Sequence, residues 1–87
     1  MKNKINISFI DTTTANFKTV LKQEFIDNDI NRVIVPNIGD RIQFRNNNDF
    51  KCHYRVTDKS YEYHIINGIL LTTMKTEIKI FLYSENI

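Results

Sequence analysis

The middle of the chain concentrates cationic side chains at a spacing that could bind an anion. Arg41, Gln43 and Arg45 alternate along one short segment, and Lys51, His53 and Arg55 alternate along the next. If the two segments pair as an antiparallel hairpin in an even register, Arg41 stands beside Arg55, Gln43 beside His53 and Arg45 beside Lys51. Like charges directly opposite one another repel, so such a face calls for a counter-charge such as Glu62 or for an anionic ligand. Arg41, Arg45, Lys51, His53 and Arg55 are therefore the candidate residues for a nucleic acid or an acidic partner. Tyr61, Tyr63 and Tyr83 would add aromatic faces on which unpaired bases stack. The competing reading is a solvated basic face over an aromatic core, because long cationic side chains ordinarily cover sheet surfaces.

Other chemistry has less to stand on. His53 and His64 fall on neighbouring predicted strands and could face one another, with Glu62 as a further ligand, but Cys52 must point to the opposite face. Solvated surface histidines explain both, and neither a metal nor a cofactor is expected. Catalysis needs a nucleophile, a base and an orienting group in one cleft. Asp40, Asp49 and Asp58 all lie in predicted turns, where short acidic side chains are favoured for geometric reasons. No residue is expected to be catalytic, and the chain is expected to be non-enzymatic.

The elements that must position these residues follow from periodicity. With 87 residues, 41% of them hydrophobic and 25% charged, the chain reads as one globular domain spanning 1–87. Lys4 to Ile10 alternates as a half-buried strand, and Thr13 or Thr14 is placed to cap a following helix. Phe17 to Ile26 fits both periods; good helix formers such as Lys18, Leu21, Lys22 and Glu24 tip it towards helix over about 14–26. Val33-Ile34-Val35 reads as a short strand stopped by Pro36, and Pro36 to Asp40 as a turn. Strands are then expected at Arg41–Arg45, Phe50–Thr57, Tyr61–Ile66, Ile69–Met74 and Glu77–Tyr83. Asp58-Lys59-Ser60 is expected to turn the chain, and Asn67-Gly68 to close a two-residue hairpin.

Consecutive hairpins of this kind curl most easily into a small antiparallel meander or partly closed barrel, which removes exposed edges. The fold class is thus α+β with one N-terminal helix, or mainly β without it. Val35-Pro36-Asn37-Ile38-Gly39-Asp40-Arg41-Ile42, followed by Tyr54-Arg55-Val56, resembles the Pro-x-x-Gly-Asp turn of small, mostly uncharacterised bacterial and phage β-barrel proteins. That resemblance covers the C-terminal half and carries no catalytic residues across.

Composition bounds the setting. A net charge of +2 implies no particular partner. The lone Cys52 forbids an internal disulfide and suits a reducing cytoplasm, and no stretch has membrane-spanning length. Ile, Asn and Lys, which have AT-rich codons, dominate. Size, composition and the phage-like turn look like a mobile-element inhibitor of a host defence system, anti-CRISPR proteins being one example. The expected activity is that of a protein-binding module docking on a host protein or ribonucleoprotein by a sheet face or strand edge, with a homodimer as a natural supplement to so small a core. The alternatives are an RNA- or single-stranded-DNA-binding barrel and a structural subunit of a phage particle.

Overall fold

The structure, a computed structural model, describes residues 2–26, 29, 32–45, 47–48, 51–69 and 72–85. It is a single curled sheet of β1 (Lys2–Asp11), β2 (Lys18–Ile26), β3 (Arg41–Arg45), β4 (Lys51–Asn67) and β5 (Thr72–Ser84). The spatial order is β2-β1-β5-β4-β3. All neighbours are antiparallel except β1 and β5, which run parallel down the centre. The two edge strands do not pair, so the sheet forms an open half-barrel and the expected partly closed, mainly β architecture is the one observed. Among the described residues no helix is long and apolar enough to cross a membrane.

The core lies on the concave face, where Ile7, Phe9, Tyr54, Val56, Ile78, Ile80 and Leu82 are buried. Ile5, Val20, Phe25, Val33, Val35, Ile42, Phe44 and Cys52 pack around them. Phe44 sits edge-on between Phe9 and Tyr54, with ring centroids 5.6 and 5.8 Å away, the geometry aromatic pairs prefer. β1 and β5 supply most of the buried aliphatic rows because they are covered on both edges.

Several local expectations give way to this sheet. The segment expected as a helix over 14–26 is strand β2. A helical stripe of Phe17, Val20, Leu21 and Phe25 needs a second layer to bury it, whereas the free edge of β1 offers a whole ladder of backbone partners. As a strand, only Val20 and Phe25 reach the core, and Phe17 remains 64% exposed. Thr13 caps no helix; its N–H and hydroxyl donate to Asp11 at 2.8 and 2.5 Å. Val33-Ile34-Val35 is in no ladder. Its alternation records burial alone, since Val33 and Val35 pack on the core while Ile34 points to solvent.

The largest departure is β4. Asp58-Lys59-Ser60 does not turn the chain but continues one strand from Lys51 to Asn67. Val56 pairs with Leu82 and Asp58 with Phe81, so Thr57 is an extra residue in a β-bulge. Above the bulge Tyr54 and Val56 face the core; below it Lys59, Tyr61, Tyr63 and Ile65 take that face. Residues 72–74 of the predicted strand 69–74 likewise run on into 77–83 as β5, Ile69 lies outside it and 70–71 fall outside the described residues, and the hairpin pairs Asn67 with Thr72. Its connection is therefore wider than the two-residue turn expected.

Candidate functional site

The cationic face assembles in the anticipated register. Arg41 is opposite Arg55, Gln43 opposite His53 and Arg45 opposite Lys51. Ile42, Phe44, Cys52 and Tyr54 hold these strands to the core from the other side, which sends the cations outward by simple alternation. Arg41, Ile42, Gln43, His53, Tyr54 and Glu85 line a groove of about 300 Å³.

The turn before β3 explains one of the arginines. Asp40 N–H donates to the Asn37 carbonyl at 3.0 Å, and Asn37 N–H donates to the Asp40 carboxylate at 2.7 Å. Gly39 occupies the third turn position with φ of 94°, where an L side chain is disfavoured. The turn is stapled to β4: Gly39 N–H donates to the Val56 carbonyl at 2.8 Å and Val56 N–H to the Asp40 carbonyl at 2.9 Å. Arg55 completes the staple by donating Nη1 to the Gly39 carbonyl at 2.9 Å and Nε to the Glu85 carboxylate. The Pro-x-x-Gly-Asp motif is thus a device for fastening β3 against β4.

Arg55 is consequently committed within the fold, and Glu85 rather than Glu62 supplies its counter-charge. Arg45 also makes an interaction of its own. Arg41 and Lys51 are exposed and in no ion pair among the described residues. Tyr83, 51% exposed, pairs with Arg55 on the same outer face.

The two histidines do not meet. Both lie on the outer side of β4, but eleven positions of one strand separate them by roughly 35 Å, so they share no metal. His64 keeps the anticipated neighbour Glu62, with Nε2 3.1 Å from Oε1, and gains Glu77 from β5. The ligand atoms of Glu62, His64 and Glu77 lie within 4.8 Å of one another. Lys75, directly opposite His64, places Nζ 3.4 Å from the Glu77 carboxylate and already balances it.

The carboxylates considered for catalysis are engaged as acceptors. Asp40 closes its turn, and Asp58 accepts the Lys59 N–H at 2.8 Å inside the bulge. Asp49 lies outside the described residues. Asp11 forms the most elaborate cluster, at the point where β1 leaves the sheet. It accepts from the Thr13 hydroxyl and N–H and from the Tyr54 hydroxyl at 3.3 Å, while Thr12 N–H donates to the Leu82 carbonyl at 2.8 Å and Ser84 N–H to the Thr13 hydroxyl at 2.8 Å. The Thr13 hydroxyl bond holds the Asp11 carboxyl below its ordinary value, and burial, aided by the Asp11 charge, pushes the Tyr54 phenol up. This arrangement ties three strand ends together.

A feature missed in the sequence is the long unpaired edge of β4. β3 ends its pairing at the Arg41–Arg55 pair, and the Gly39–Asp40 turn covers Val56. From Thr57 onward no strand among the described residues covers that side of β4. The direction of the backbone groups follows from β5. The Leu82 carbonyl accepts from Thr12, so Leu82, Ile80, Ile78 and Thr76 aim their main chain at β1 and the intervening residues aim theirs at β4. Their partners Asp58, Ser60, Glu62 and His64 are thereby satisfied. Lys59, Tyr61, Tyr63 and Ile65 instead direct N–H and C=O away from the sheet. Tyr63 and Ile65 are each 63% exposed. Splitting β4 at a predicted turn hid this edge; the available signal was that Asp58-Lys59-Ser60 contains neither Gly nor Pro to break the strand.

No protein-family model, curated protein or solved structure matches this chain.

Proposed function

We propose that this chain is a non-catalytic protein-binding module that takes up an extended strand along the β4 edge. The observation that carries the reading is the row of outward backbone groups at Tyr61, Tyr63 and Ile65, flanked by exposed apolar side chains. Main-chain pairing there supplies affinity, and alternate side chains supply selectivity. The strand comes from another protein chain, a host protein or ribonucleoprotein being one source and a second copy of this chain another. In this reading the phage-like turn and AT-rich composition fit an inhibitor encoded by a mobile element and acting in the host cytoplasm. Placing the photo-crosslinking residue benzoylphenylalanine at Tyr63 tests it in living cells. The expected result is a protein adduct that disappears when Tyr61 and Ile65 are both changed to Lys. Adducts only from the same probe placed at Arg41 would overturn it.

A second reading has its own support: the cationic face of Arg41, Arg45, Lys51 and His53, of which Arg41 and His53 line the groove, with Tyr83 beside Arg55, suits RNA or single-stranded DNA. The pairing of Arg55 with Glu85 lowers the positive charge there, which places this reading second. Binding of a labelled oligonucleotide should then weaken steeply with salt and vanish in Arg41→Glu/Lys51→Glu.

A further inference from the structure

We propose that the strand taken up by the β4 edge is β4 of a second copy of this chain, paired antiparallel about a two-fold axis through Tyr63. The inference rests on the edge-docking reading above and names its occupant. The sequence of the edge is self-complementary in one register. With Tyr63 opposite Tyr63 of the second copy, Tyr61 meets Ile65, Glu62 meets His64 and Ser60 meets Ile66, each twice by symmetry. Tyr61, Tyr63 and Ile65 are the residues whose N–H and C=O point outward, so they form the hydrogen-bonded pairs. Glu62 and His64 then fall in a non-hydrogen-bonded pair, where side chains approach most closely.

Charge selects this register over its neighbours. An axis through Glu62 would put Glu62 against its own copy, although each already faces Glu77 across β5. An axis through His64 would put Glu62 against Ile66. An axis through Tyr61 would force pairing through the Thr57–Asp58 bulge, where the strand is not regular. With the axis at Tyr63, each His64 lies between its own Glu62, 3.1 Å away, and the Glu62 of the second copy.

Shape agrees with charge. β3 has 5 residues and β4 has 17, so the sheet edge is a step, and two steps related by the axis interlock. The hairpin tip, where Ile69 is fully exposed, reaches the Asn37–Asp40 turn of the second copy, where Ile38 is 59% exposed. Tyr61, Tyr63 and Ile65 from both copies then form one continuous apolar row.

The test uses the full chain in a Cys52→Ser background. Wild-type protein should sediment at about twice its 10.3 kDa mass. A mixture of Glu62→Cys and His64→Cys proteins should form a disulfide-linked dimer on oxidation. Either protein alone should not, because the same position on the two copies is offset by two residues, about 8 Å between Cα atoms and beyond disulfide reach. Glu62→Lys, which relieves the repulsion with Glu77 and so does not endanger the fold, should weaken dimerisation about tenfold, and adding His64→Glu should restore it. A monomer at high concentration, or crosslinking equal in the single-variant samples, overturns the self-pairing. A monomer whose Tyr63 probe still captures a foreign protein overturns only this inference. A monomer whose probe captures none overturns the edge-docking reading as well.

Discussion

Deleting a residue from the middle of the longest strand should leave this protein folded, provided the residue is Thr57. In the bulge Thr57 has no register partner on β5, so its removal joins Val56 directly to Asp58 and preserves every pair from Asp58–Phe81 to Asn67–Thr72. What disappears is the bond from the Thr57 hydroxyl to the Phe81 carbonyl, 3.3 Å and exposed, about 0.5–1 kcal/mol. Deletion of Lys79, also exposed, has no bulge to absorb it. Ile78 and Ile80 would become adjacent and point to opposite faces, and β5 is paired on both sides, so β1 and β4 would both have to distort. Turning Ile80 and Leu82, each 0% exposed, out of the core costs about 3–6 kcal/mol together. That approaches the whole stability of a small domain, about 5–15 kcal/mol. Urea titrations followed by far-ultraviolet circular dichroism measure both variants. Equal losses for the two deletions would refute the assignment of the bulge and, with it, the face on which Tyr61, Tyr63 and Ile65 lie.

Two further predictions concern the ties at the sheet ends. Because the Asp11 carboxyl is held below its ordinary value, the fold favours its anion. Its stabilisation is present above the unfolded-state pKa of about 3.9 and is lost as pH falls through the lower folded value. Asp11→Asn should cost about 1–2 kcal/mol at neutral pH and flatten the acid limb of stability below about pH 4; an unchanged acid limb would remove Asp11 as its cause. Gly39→Ala meets no atom within 4 Å, so its penalty is that of the positive φ alone, about 1–2 kcal/mol, read as a lowered thermal midpoint. A variant as stable as the parent would contradict the turn geometry.

The part of the candidate site that depends on alternation was legible from residue types. Arg41–Arg45 and Lys51–Arg55 alternate without interruption, and a period of two admits few registers, so the Arg41–Arg55, Gln43–His53 and Arg45–Lys51 pairs were readable in advance. The Pro36–Asp40 turn was readable for the same local reason, since proline and glycine fix backbone dihedrals whatever surrounds them. The commitment of Arg55 to Glu85 was not, because thirty residues of chain separate partners that only the β4–β5 ladder brings together.

By itself, the sequence determined the strand-rich class, the turn, the cationic face and the apolar rows of β1 and β5, all properties of short-range periodicity and dihedral preference. The tertiary structure alone decided that 18–26 is a strand, because the open edge of β1 outweighs modest helix propensity. It also decided that Asp58-Lys59-Ser60 is a bulge and that β4 outruns β3 to leave Tyr61, Tyr63 and Ile65 at an open edge. These depend on what lies alongside a segment, and neighbours across a sheet are set by the free energy of the whole ladder rather than by any window of the chain.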